Sequence, residues 1–124
     1  MSNVELARQA VHARERMLEA WDYWLRAYPE NKRRATAEYE SAVDVYREAC
    51  SAVFAPGSAA WVVFAGEVYP ATIAGEPQVY EFPVDCACKA ANVFRFNPLD
   101  NLFPASMLAE ATAEAQRVRN LYGR

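Results

Sequence analysis

Few side chains here could do chemistry. His12 is the single histidine in 124 residues, and the thiols are Cys50, Cys86 and Cys88. A hydroxyl or thiol nucleophile needs a base beside it, and that base needs a third group to hold it. Any such relay would have to be assembled around His12, and nothing near it in sequence helps. Its place beside an apolar helical stripe, toward the solvent side, reads as an ordinary exposed histidine.

Cys86-Ala87-Cys88 is a C-x-C pair whose thiolates could share a soft metal. A structural zinc site needs about four ligands, usually supplied as two clusters. Only Cys50, His12 and carboxylates such as Asp85 remain to complete one. Redox pairs more usually read C-x-x-C. Thiols that are buried or idle are therefore expected, with no metal and no cofactor. Three cysteines without regular spacing do not read as a disulfide framework, which points to a reducing compartment.

Carboxylates are plentiful but scattered. Glu38 and Glu40 point in different helical directions, and Asp22 with Arg26 reads as a four-residue surface pair. Acid–base catalysis needs two groups held together with shifted pKa values, and no such pair stands out. The four glycines are isolated, so there is no phosphate-cradling loop. No catalytic residue is assigned, and the chain is not expected to be an enzyme.

Thirteen basic against sixteen acidic residues give a formal charge of -3, without the basic excess that neutralises phosphates. Nucleic acid is not an expected partner. The one basic run, Lys32-Arg33-Arg34, reads first as a solvated face. Its place near a helix N-terminus is mildly unfavourable, a weak hint that contact keeps it there. The first residues, Met1 to Glu5, lack a basic region followed by an apolar run, so no signal peptide is read. The apolar stretches are too short to span a membrane. A cytoplasmic location is expected.

The elements that must position these groups follow from periodicity. Ser2 and Glu5 form a capping box opening a helix from about Asn3 to Ala27. Val4, Ala7, Val11, Leu18, Trp21, Leu25 and Tyr28 recur at spacings of three and four, broken only by Arg14, and predict one buried face. Pro29 ends that helix and starts a second, to about Val53. Its stripe is Ala35, Tyr39, Ala42, Tyr46, Ala49 and Val53, with Val43 and Cys50 alongside. So short a link requires an antiparallel helical hairpin.

After the turn cluster Ala55-Pro56-Gly57-Ser58 come short aromatic and β-branched runs at 61–64, 68–73, 78–83 and 92–96. Pro70 and Pro83 are expected to confine their strands to edges or ends. Asn97 is read as the cap of a single turn, and Phe103-Pro104 as the opening of a last helix to about Tyr122. That helix carries a stripe of Leu108, Ala111, Ala115, Val118 and Tyr122. The fold class is α+β, within one domain: a hairpin over 1–53, a small antiparallel β-sheet over 54–96, and a C-terminal helix over 97–124.

Two aromatic groups exceed what a small core obviously needs. Trp21, Tyr23, Trp24 and Tyr28 sit at the end of the first helix on more than one side of it. Trp and Tyr are favoured at contact hot spots. Tyr23, Trp24 and Tyr28, with Lys32, Arg33 and Arg34, are the candidate interface. Among the strand aromatics, Trp61, Tyr69, Tyr80 and Phe82 are a candidate groove, since alternation sends half of such residues inward and half outward.

The run Trp61-Val62-Val63-Phe64-Ala65-Gly66-Glu67-Val68-Tyr69-Pro70-Ala71-Thr72-Ile73, followed by Gln78-Val79-Tyr80-Glu81-Phe82, resembles a small SH3-like barrel of the Tudor type. It departs from that pattern at Pro70 and in the stretch 86–91. The resemblance covers about a third of the chain and implies a binding module with an aromatic-lined groove and no catalysis. The expected function is a non-catalytic protein-binding module, an adaptor or inhibitor. Its size and preference for Arg over Lys suit a bacterial or phage accessory protein. The expected partner is a protein. Heptad-like stripes on three helices also allow a homodimer. The alternative is a small-molecule binder with an aromatic pocket between sheet and helices.

Overall fold

The structure, a computed structural model, describes residues 1–78, 81–88 and 96–123. The chain is α+β: helices α1 (Asn3–Arg26) and α2 (Lys32–Val53), strands β1 (Ala59–Phe64), β2 (Glu67–Ile73), β3 (Val84–Cys86) and β4 (Leu102–Pro104), then helix α3 (Leu108–Leu121). Contacts group it into two compact units, Met1–Ala52 and Val53–Arg124. The C-terminal helix therefore belongs with the strands.

In the first unit, the Ser2 hydroxyl accepts from the Glu5 N–H at 3.2 Å and starts α1 as the capping pattern requires. Ala27 turns the chain into extended backbone, and Pro29 opens a single 3-10 turn that runs into α2. The α2 stripe lies where periodicity places it: Ala35, Val43, Tyr46, Cys50 and Val53 are buried, and Tyr39, Ala42 and Ala49 are half-buried.

The α1 stripe needs correcting. The buried residues of α1 are Ala7, Ala10 and Ala13. Val4, Leu18, Leu25 and Tyr28 are 52%, 50%, 56% and 71% exposed, and Trp21 is exposed too. Alanines permit close approach, so the helix buries its small-residue side and leaves the large apolar side chains on a neighbouring side.

In the second unit, the sheet order is β3-β2-β1-β4, antiparallel throughout. β1 and β2 are joined by Ala65-Gly66, both at positive φ (52° and 79°), as a two-residue hairpin between the paired Phe64 and Glu67 requires. β3 and β4 are the outer strands, and no pairing between them closes a barrel among the described residues. Val63, Phe103, Ala111 and Ala115 form a buried cluster where α3 covers one sheet face, with Trp61, Val68 and Met107 against it.

Two strand expectations change. Among the described residues, the run at 78–83 makes isolated bridges, Gln78 to Glu81 and Phe82 to Phe96, and the third strand is Val84–Cys86, just past Pro83. Most of the run at 92–96 lies outside the described residues. Pro70 sits inside β2, an interior strand, opposite Trp61. It lies just outside the stretch that β3 pairs with, Ala71 to Ile73, so that ladder asks no N–H of it.

Phe103-Pro104 does not open the last helix. Leu102–Pro104 is buried and pairs with Ala60 to Val62, and α3 starts at Leu108. Asn97 opens the expected single turn through its backbone. Its N–H donates to Asn101 Oδ1 at 2.6 Å, and its carbonyl accepts from Asp100, Asn101 and Leu102. Of the α3 stripe, Ala111 and Ala115 are buried, Val118 is half-buried, and Leu108 and Tyr122 are exposed.

Candidate functional site: the helical hairpin

A groove of about 1190 Å³ runs along the hairpin, lined by α1 and α2. Its apolar lining comes from Leu6, Ala13, Ala20 and Tyr23 of α1 and Ala42, Val45 and Ala49 of α2. The small side chains make the trough, because alanine leaves space a leucine would fill. Its charged groups are Arg16, Glu19, Arg34, Glu38 and Glu48. Three are tied locally: Arg16 Nε donates to His12 Nε2 at 3.1 Å, and Arg34 Nε reaches Glu38 Oε1 at 3.2 Å. His12 is therefore an acceptor for a neighbouring guanidinium on an exposed surface.

The candidate interface residues divide between two tasks. Trp24 and Lys32 hold the hairpin bend. The Trp24 indole N–H donates to Thr36 Oγ1 at 2.9 Å. The Lys32 ammonium lies 3.9 Å from the Trp24 ring centroid and donates to the Trp24 carbonyl. Trp21 stacks on Trp24 at 5.1 Å between centroids and tilts against Tyr39 at 5.2 Å, within the range of favourable ring pairs. The basic run is thus partly used up inside the hairpin. Tyr23 and Arg34 face the groove instead, while Tyr28 and Arg33 are exposed near the bend.

The candidate aromatic groove is not one surface. Pairing places Trp61, Val63, Val68 and Pro70 on one sheet face, and Ala60, Val62, Tyr69 and Ala71 on the other. Trp61 packs on the cluster beneath α3 and donates its indole N–H to the Ala105 carbonyl at 3.0 Å. Phe82 is buried against Phe54, centroids 5.2 Å apart. Tyr80 lies outside the described residues. Sequence alternation alone could not separate these residues, because the register of β1 on β2 decides their faces.

All three cysteines are thiols. Cys50 is buried, and burial pushes its pKa up to about 11, against the lowering effects of the Tyr46 hydrogen bond and the Arg14 charge. A thiol so placed is a poor nucleophile. Tyr69 is pushed above its ordinary value by burial and by its neighbours Cys88, Glu67 and Cys86. Among the described residues, no three His, Cys, Asp or Glu side chains converge as metal ligands, and no helix is long and apolar enough to cross a membrane.

No protein-family model, curated protein or solved structure matches this chain.

Sequence reasoning missed the groove itself. The signal was present as alanines at 13, 20, 42 and 49 on the two helices, but they read equally well as close-packing residues.

Proposed function

We propose that the chain is a non-catalytic protein-binding module, of the adaptor or inhibitor kind, which takes an amphipathic helix of a partner protein into the hairpin groove. The observation that carries this reading is the apolar trough between α1 and α2 with charged groups along its sides. A trough between two helices is the shape that receives a third, with apolar anchors every three or four residues and charges at the rim. Its form favours a helix over a small molecule, since drug-sized ligands occupy pockets that enclose most of their surface. The trough instead lies open along its length, from Leu6 to Tyr23 on α1.

The test is capture from a native lysate with the tagged full chain, identified by mass spectrometry, beside a Val45→Glu variant. Val45 is 52% exposed, so a glutamate there leaves the fold intact. The expected result is a stoichiometric protein partner that the variant loses. A co-purifying small molecule with no protein, or a partner indifferent to Val45→Glu, overturns the reading.

A further inference from the structure

Val4, Val11, Leu18 and Leu25 recur at intervals of seven along α1. Three of them are half exposed or more and Val11 is half-buried, with Trp21 and Tyr28 exposed beside them. They are separate from the groove, since none of them lines it. Seven residues fall about 20° short of two full turns, so this ridge winds slowly round the helix. A ridge of that period stays in register with another helix by supercoiling around it. From Val4 to Leu25 it runs roughly 32 Å, at about 1.5 Å per residue.

The charges beside the ridge say what covers it. Arg8, Glu15 and Asp22 follow the first three ridge residues by four positions. Against a second α1 running parallel, this flank of the ridge would face the opposite flank, Ala10, Met17 and Trp24, and find no charge to pair with. Against one running antiparallel about a two-fold axis near Glu15, Arg8 meets Asp22, twice by symmetry. Only Glu15 faces itself. Charges along such a seam set partner choice and orientation. Asp22 and Arg26 already pair within α1 at 2.5 Å, yet both stay exposed and reachable.

We infer that the exposed ridge of α1 docks antiparallel on the same ridge of a second copy of this chain, giving a homodimer. The inference goes beyond the proposed function, because it uses a different side of the helix and leaves the groove open.

Sedimentation equilibrium of the full chain over a concentration series tests it. The expected result is a concentration-dependent dimer. The Leu18→Glu/Leu25→Glu variant is expected to be monomeric with an unchanged helical circular dichroism spectrum, because both side chains already stand in solvent. Arg8→Glu alone and Asp22→Arg alone each weaken the dimer, and the two together restore it. A wild-type chain that stays monomeric throughout overturns the inference. So does a dimer that survives both glutamates, or a double charge exchange that binds no tighter than either single change.

Discussion

A Cβ at Gly66 would stand 2.6 Å from Cγ of Arg119 and 3.5 Å from its Cδ. The aliphatic stem of Arg119 therefore lies across the β1–β2 turn, and its guanidinium reaches Glu67 at 3.7 Å and Gln116 at 3.1 Å. Gly66→Ala meets both this stem and a φ of 79°. It is expected to destabilise the fold by about 1–3 kcal/mol, read from the midpoint of urea unfolding. Adding Arg119→Ala should recover part of that loss, because only the steric share is relieved. Strictly additive losses would show that the stem does not press on the turn.

How much of this was legible in advance depends on the range of the cause. The capping of α1, the break at Pro29 and the α2 stripe are set by residues within a few positions, and the sequence carries them openly. Two apolar stripes compete on α1, and sequence cannot say which is buried. The larger side chains suggested one, and the alanines at 7, 10 and 13 took the other. Pro104 shows the same limit. Proline suits a first helical position, but Pro104 is drawn into β4 by pairing with Ala60, more than forty positions away. In the hairpin, Tyr23 and Arg34 were named on type and position alone. The alanine trough they border depends on how two helices are spaced.

The hairpin bend provides a contrast between two adjacent basic residues. Lys32→Gln removes a cation from the Trp24 ring, and should cost about 0.5–1 kcal/mol. Arg33→Gln, at an exposed neighbouring position, should stay within about 0.5 kcal/mol of wild type. Thermal unfolding followed at 222 nm separates the two. Equal effects would mean that the ring contact contributes nothing.

Trp61 ties β1 to the segment before α3 through its indole N–H and to the buried cluster through its ring. Trp61→Phe keeps most of the ring packing and loses the bond to Ala105, an expected cost of about 1 kcal/mol. Trp61→Ala loses both, and should cost about 3 kcal/mol. Urea unfolding curves of the two variants check the order. A phenylalanine variant as unstable as the alanine one would place the whole effect in the hydrogen bond.

Cys50 should make the fold sensitive to alkali. Its folded pKa, about 11, lies above the ordinary value of 9.0, so the folded state holds the proton more tightly than the unfolded chain. The resulting stability is fully present below pH 9.0 and is lost as pH climbs through about 11. Cys50→Ala should flatten that part of the stability profile, measured by urea unfolding at pH 8 to 11. An unchanged slope would exclude Cys50 as its source. At pH 8, iodoacetamide should also label Cys86 and Cys88 well before Cys50, as peptide mass spectrometry would show.

The outermost strands of the sheet are three residues each, and β4 ends in a proline. Such rims offer an incoming extended chain almost no ladder of free amides to extend. Fibril growth by edge-to-edge addition therefore has little purchase on this molecule. A protein that displays valine and leucine along a helix, while its described sheet rims give cross-β polymerisation little foothold, can be sticky toward helices and still remain dispersed at high concentration.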